Sequence, residues 1–233
     1  MPADDPALNA PAASDVLLGL RAGLPVALGY LPVAFAFGAS ASALSITAVE
    51  ATGISVLMYS GANQAFLLSA IATGMPVALV VLLGAAASLR HLLYGLVLRR
   101  RIGSRGPAHL LFGYGLTDEV FASALNATSA GLRPSGPWLV GLALAAWGSW
   151  VLGTTFGAVA GDLLRAADAG LAEALEFALP ALFLGLVWAS ASWAMLWPMA
   201  LAGGLSGGLI LAGLPELAIP AGALAAFAAR RRA

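Results

Sequence analysis

The sequence predicts an all-α, polytopic membrane protein of about seven transmembrane helices, and three observations carry that prediction. Hydrophobic residues make up 61% of the chain and charged residues only 9%, with a mean hydropathy of +0.92, whereas soluble proteins carry about 25% charged residues. A soluble domain of this composition would expose wide apolar patches, so the outer surface is expected to face lipid. Four long windows lack Asp, Glu, Lys and Arg: residues 22–49, 51–89, 134–161 and 177–215. Their lengths run 28, 39, 28, 39. A crossing takes about 20 residues, so the short windows hold one and the long ones have room for two. The order suggests a three-helix unit used twice, with broken helices inside it.

Residues 1–20 are expected to form a short disordered cap ahead of a single transmembrane domain over 21–233. The first fifteen residues carry three Asp, three Pro and no Arg or Lys, unlike a secretory signal, which needs a basic start and an apolar run. In the first window, Leu24 to Gly38 contains Pro25, Gly29, Pro32 and Gly38. Each Pro removes a backbone donor, so the helix is expected to break around Gly29, Pro32 and Gly38, with a packing kink as the plainer alternative. The second unit repeats part of this pattern: Gly29, Phe37 and Gly38 match Gly148, Phe156 and Gly157 in spacing.

The second window contains MYSGANQAF, Met58 to Phe66. Tyr59, Ser60, Asn63 and Gln64, with Gly61, concentrate hydrogen-bonding groups in an apolar stretch, where each is costly unless partnered. A broken helix here would offer backbone donors and amides to a zwitterionic ligand; the alternative is hydrogen bonding between helices. Arg90 and His91 follow. Arg90 is placed to hold a carboxylate, to pair with Asp118 or Glu119, or to snorkel to the interface. Histidine is the side chain suited to carrying protons at physiological pH, and His91, inside a span, is the candidate proton carrier of the two His; His109, beside Pro107, is read as interfacial.

Residues 107–127 are long enough to cross but carry Asp118 and Glu119 near their middle. Acids in a span are costly and mark function by default, here proton coupling or an internal counter-ion. If this link crosses, the two units run parallel; if it does not, they are inverted. Further candidate spans are 137–160, 174–192, 194–213 and 215–229, the last containing Pro220. Arg99, Arg100, Arg101 and Arg105, and then Arg230, Arg231 and Arg232, are expected on the cytoplasmic side, with an even number of crossings between them. Gly203, Gly204, Gly207 and Gly208 read as a close-packing face, and Trp138, Trp147, Trp150, Trp188, Trp193 and Trp197 as an interfacial belt.

Other function classes fit poorly. Eleven Arg balance eleven acids, which leaves no basic field for nucleic acid. With no Cys there is no disulfide framework, Cys-ligated zinc or thiol catalysis, and no cofactor or metal site is expected. The sequence Gly204-Leu205-Ser206-Gly207 has the form of an intramembrane serine protease motif, but no His follows His109 to serve as its base. The chain is therefore not read as an enzyme.

MYSGANQAF, LRHLLYG (Leu89 to Gly95), LTDEVFA (Leu116 to Ala122) and LEFALPALFLGLV (Leu175 to Val187) resemble, in order, the motifs of the AzlC family of branched-chain amino-acid permeases. The resemblance spans residues 22–213. It departs at Ser88, where Asn is common, and at Ala65, which separates Gln64 from Phe66. It implies export of leucine, isoleucine and valine, and in some members methionine, across the bacterial inner membrane. It also implies a small AzlD-like membrane subunit as a separate chain. A non-transporting assembly or regulatory subunit is the alternative; it differs in tolerating replacement of Asn63, Gln64 and Asp118.

Overall fold

The computed structural model describes residues 12–99, 102, 107–168, 170, 181, 184 and 193–230. Regular structure among them is entirely helical: α1 (Ala12–Ala43), α2 (Ala48–Leu57), α3 (Gly61–Thr73), α4 (Val77–Ser88), α5 (Arg90–Arg99), α6 (Pro107–Tyr114), α7 (Asp118–Ser129), α8 (Gly136–Ala167), α9 (Trp193–Leu211) and α10 (Pro215–Arg230). Asp15–Ala43, Val77–Leu98 and Gly136–Gly161 are long and apolar enough to cross a membrane. The chain is a polytopic helical membrane protein.

Its spine is the parallel pair α1 and α8. Glycines let the two backbones touch: a Cβ on Gly19 would lie 2.0 Å from the Trp138 carbonyl oxygen, and one on Gly38 2.1 Å from that of Thr154. From the other side, a Cβ on Gly157 would lie 2.0 Å from the Phe35 carbonyl oxygen. In lipid, where apolar surface gives no drive to associate, close approach through small residues is what holds helices together. Gly153 opposes Ala34, Gly161 opposes Ser42 and Gly19 opposes Trp138. Each pair is 119 residues apart (153 − 34, 161 − 42, 138 − 19), the same offset as Gly29 to Gly148. The internal repeat is thus also the register in which the two helices meet.

The expected break in the first window does not occur: α1 is continuous from Ala12 to Ala43 with Pro25 and Pro32 inside it. Two prolines cost two backbone bonds, and α8 packed along the helix holds it through them. Gly38 belongs to this packing, while Gly29 has nothing within 4 Å of a Cβ. Residues 12–20, assigned to the cap, are helical as well, because Gly19 docks on α8.

Two helical hairpins enter this spine from opposite ends. The first starts at the C-terminal end of α1, where Thr47 and Glu50 form a reciprocal capping box on α2. Descending α2 bonds α8 through Thr52 to Thr155 (2.9 Å) and Ser55 to Thr154 (2.7 Å). The chain breaks at Met58–Ser60, and α3 turns back: Gln64 reaches Ser55, and Leu68 joins a buried cluster with Ala51, Phe37 and Ala158. Gly74, at φ +66, closes α3 in the left-handed conformation. Helices α4 and α5 then make one crossing, bent at Leu89 beside Ser88, whose hydroxyl bonds back to the Gly84 carbonyl.

The second hairpin mirrors the first from the other end. Leu98 and Ile102 lie in one buried cluster with Phe112, Val120, Ala124 and Leu139. Helix α6 climbs to Gly115, where a Cβ would lie 2.6 Å from that of Ala143. The chain reverses at Leu116–Thr117, and α7 returns to Ser135, whose hydroxyl donates to Asp15 (2.5 Å) near the start of α1. Residues 107–127 therefore do not cross. The units are nevertheless parallel at α1 and α8, because the α2–α3 hairpin also returns to its own side and leaves α4–α5 as the one crossing between them.

Helices α9 and α10 form an antiparallel pair in which Gly222 meets Ser206 and Ala202. The stripe Gly203, Gly204, Gly207 and Gly208 is not that contact; its Cβ positions are open among the described residues. The Ser206 hydroxyl donates to the Ala218 carbonyl (2.7 Å), a structural role far from nucleophilic activation. Most of the candidate span 174–192, with Trp188 and most of the segment Leu175 to Val187, and Arg100, Arg101, Arg105, Arg231 and Arg232 lie outside the described residues.

Candidate functional site

The two hairpin tips meet midway along the α1–α8 spine, and a cavity of about 540 Å³ lies between them. From the first hairpin come Tyr59, Ser60, Gly61 and Ala62; from the second, Thr117, Asp118 and Glu119. Gly29 and Tyr30 of α1, Trp150 of α8, and Arg90 and His91 at the α4–α5 bend complete the polar and aromatic wall. Pro25, Val26 and Val33 supply an apolar side. The tips are tied directly: the Tyr114 hydroxyl donates to the Val56 carbonyl.

Each charged group has a position set by its element. Asp118 and Glu119 occupy the first turn of α7, where the helix dipole favours anions. Asp118 pairs with Arg90 at 3.5 Å and accepts from the Tyr94 hydroxyl at 2.6 Å. Tyr94 stacks on Phe121 with ring centroids 4.5 Å apart and stands edge-on to His91. Side-chain exposures of 41% for Arg90 and 46% for Asp118 leave that pair accessible, so it is a reversible contact and not a buried ion pair. Glu119 accepts from the Tyr30 hydroxyl, which also lies 2.6 Å from the Thr117 hydroxyl. Tyr30 has one proton to give, so Thr117 donates to it in return.

Three rings, Tyr30, Tyr59 and Trp150, pack edge to face around this point, with centroids 5.1 to 6.3 Å apart. Tyr59 stands out in the sequence, but the other two do not: Tyr30 sits in an apolar run, and Trp150 reads there as part of the interfacial belt. Trp150 is instead 4% exposed, and its indole nitrogen donates to Gln64 (2.9 Å). Trp193 and Trp197, at 90% and 65% exposure, have the surface position that the belt requires.

Of the polar residues in MYSGANQAF, the structure brings Tyr59, Ser60 and Gly61 to the cavity and sets the other two behind it. Gln64 is fully buried, with its amide donating to Ser55 (3.0 Å) and to the Met58 carbonyl (2.8 Å). Asn63 faces the α4–α5 bend and donates to Ser88 (2.8 Å). Both amides brace the tip. Pro32 and Gly38 are likewise absent from the wall. Among the described residues no group of His, Asp and Glu is arranged to hold a metal.

A multi-pass membrane protein with a central, charge-lined cavity closed by two re-entrant hairpins has the build of a transport protein. The AzlC protein family model matches residues 25–164, which include both hairpins, α1 from Pro25 onward and α8 up to Leu164. The chain is 38% identical over 184 residues to the Inner membrane protein YgaZ of Escherichia coli (strain K12), covering 78% of this chain and 75% of that one. It is 34% identical over 169 residues to an uncharacterized membrane protein of Archaeoglobus fulgidus, covering 72% and 73%. No solved structure matches. The chain belongs to the AzlC family, and its role is in membrane transport.

Proposed function

We propose that the chain is the large subunit of a branched-chain amino-acid exporter of the bacterial inner membrane, working with a small AzlD-like partner. The observation that carries this is the cavity between the hairpin tips. Its volume of about 540 Å³ is within the usual range for small ligands. It is lined both by charged and hydrogen-bonding groups and by the apolar Pro25, Val26 and Val33. An amino acid with an aliphatic side chain carries both kinds of group. Tyr59, Ser60 and Gly61 take its polar end, and methionine fits the same wall.

Asp118, Glu119 and His91 are the groups at this site whose charge changes with a proton, so they carry the coupling in a proton-driven cycle. Releasing Asp118 from Arg90 by protonation would loosen the α7 tip from the α4–α5 bend. The test is Asp118→Asn in vesicles containing the chain with its partner: proton-driven flux of labelled leucine is lost while leucine exchange persists. Unchanged driven flux in both Asp118→Asn and Glu119→Gln would sink the coupling role. Absence of counterflow for leucine, valine, isoleucine and methionine would overturn the exporter reading in favour of an assembly subunit.

A further inference from the structure

Two helix N-termini point into the cavity, and they differ in a way that orders a zwitterion. At α7 the Val120 amide is capped by Thr117, and the acids Asp118 and Glu119 in the first turn already offset the positive end of the helix. At α3 the N-cap residue Ser60 makes no side-chain cap bond, and the first turn holds no acid. The first amides of that helix therefore keep their hydrogens and their partial positive charge. Beside them, Tyr59 is 8% exposed and lines the cavity, and its hydroxyl lies near the Thr117 and Tyr30 hydroxyls and Glu119 but makes no hydrogen bond of good geometry among the described residues. A buried hydroxyl without an acceptor is costly, and a carboxylate supplies one.

The negative pole is Glu119. Asp118 is engaged by Arg90 and Tyr94, whereas Glu119 accepts from Tyr30 and keeps further lone pairs for a second donor. The Tyr30, Tyr59 and Trp150 rings beside it offer aromatic faces, which attract cations. The two poles adjoin, since the Tyr30 and Tyr59 ring centroids are 6.3 Å apart. In an α-amino acid the ammonium and carboxylate share one carbon, so adjoining poles suit it and poorly suit longer zwitterions.

We infer that the cavity binds an α-amino acid in one orientation, its carboxylate on the α3 N-terminus and the Tyr59 hydroxyl, its ammonium on Glu119 among the three rings. This rests on the transport reading above and divides labour between the acids: Glu119 recognises substrate, and Asp118 is left to exchange the proton.

The test is competition against labelled leucine on the full chain, with its partner, in lipid nanodiscs. The competitors are leucine, 4-methylpentanoate (no ammonium) and 3-methylbutylamine (no carboxylate). Glu119→Gln should weaken leucine and the amine about 30-fold while leaving the acid within about threefold. Tyr59→Phe should weaken leucine and the acid about 10-fold and spare the amine. Equal losses for acid and amine in either variant, or the opposite pattern, overturn the orientation. Should Glu119→Gln fail to fold, Tyr59→Phe decides alone by the same criterion. A wild-type protein that binds none of leucine, valine, isoleucine or methionine sinks the transport reading itself, whereas leucine binding with unselective variants sinks only the orientation.

Discussion

The α1–α8 contact makes a sharp prediction about three glycines of the repeat, Gly38, Gly148 and Gly157. Adding a methyl group at Gly38 places it 2.1 Å from the Thr154 carbonyl oxygen and 2.6 Å from the Ala158 nitrogen. Backbone cannot swing aside as a side chain can, so the helices must part by about 1 Å, and overpacking of this kind costs about 1–3 kcal/mol. Alanine recovers about 1 kcal/mol of helix propensity over glycine. At Gly148, where nothing among the described residues lies within 4 Å, only the second effect operates. Gly38→Ala and Gly157→Ala should therefore lower stability by up to about 2 kcal/mol each, and Gly148→Ala should be neutral or slightly stabilising. The double variant Gly38→Ala/Gly157→Ala should lose less than the sum, because one parting of the helices relieves both clashes. The assay is the monodisperse fraction remaining after heating in detergent. A Gly38→Ala protein that survives heating as well as Gly148→Ala would refute the contact.

Gln64→Met keeps the side chain's length but orphans the buried Trp150 indole N–H, at about 1–3 kcal/mol, while the Met58 carbonyl keeps its bond from the Ser60 amide. Thermal stability should fall and leucine transport with it; a variant with wild-type stability would show that the amide does not brace the tip. Cysteine introduced at Ser104 and at Ala233 should label from the same side of the membrane, and opposite labelling would show an odd number of crossings between the two Arg clusters.

The sequence made legible what depends on chemical cost. Polar residues at Met58–Phe66 and acids at 118–119 stand out against an apolar background because lipid penalises them, and both segments prove to be hairpin tips. The direction of the chain after each break was not legible. Met58–Ser60 specifies that the helix stops, but whether α3 proceeds or doubles back depends on Gln64 meeting Ser55 and Leu68 meeting the α1–α8 cluster, contacts made across the fold. That is why the 51–89 window, long enough for two crossings, holds part of one hairpin and a single crossing. The same limit applied within the tip: Ser60 and Gln64 look equally polar in sequence, yet four residues along a helix separate the cavity wall from the packing behind it. Tyr30 and Trp150 were missed because an aromatic ring in an apolar span gives no signal until its neighbours are known.

Hairpins that return to their own side also bear on orientation. A re-entrant segment leaves crossing parity unchanged, so the end of α5, the start of α6, the loop after α7 and the start of α8 all lie at one end of the spine, with the start of α1. The Ser135–Asp15 hydrogen bond fixes that grouping. Arg133 therefore joins Arg99 at this end, while the opposite end carries Glu50 in the first turn of α2 and a single Arg, Arg165, near the end of α8 among the described residues. Arg on cytoplasmic loops sets topology and acids count for little, so the end with the α6–α7 hairpin is expected on the cytoplasmic side. On that expectation the tip carrying Asp118 and Glu119 approaches the cavity from the cytoplasm and the tip carrying Ser60 from outside. With substrate bound in the inferred orientation, each side would contribute one pole of the site, and movement of either hairpin alone would open the cavity toward its own side while breaking one half of the substrate's contacts.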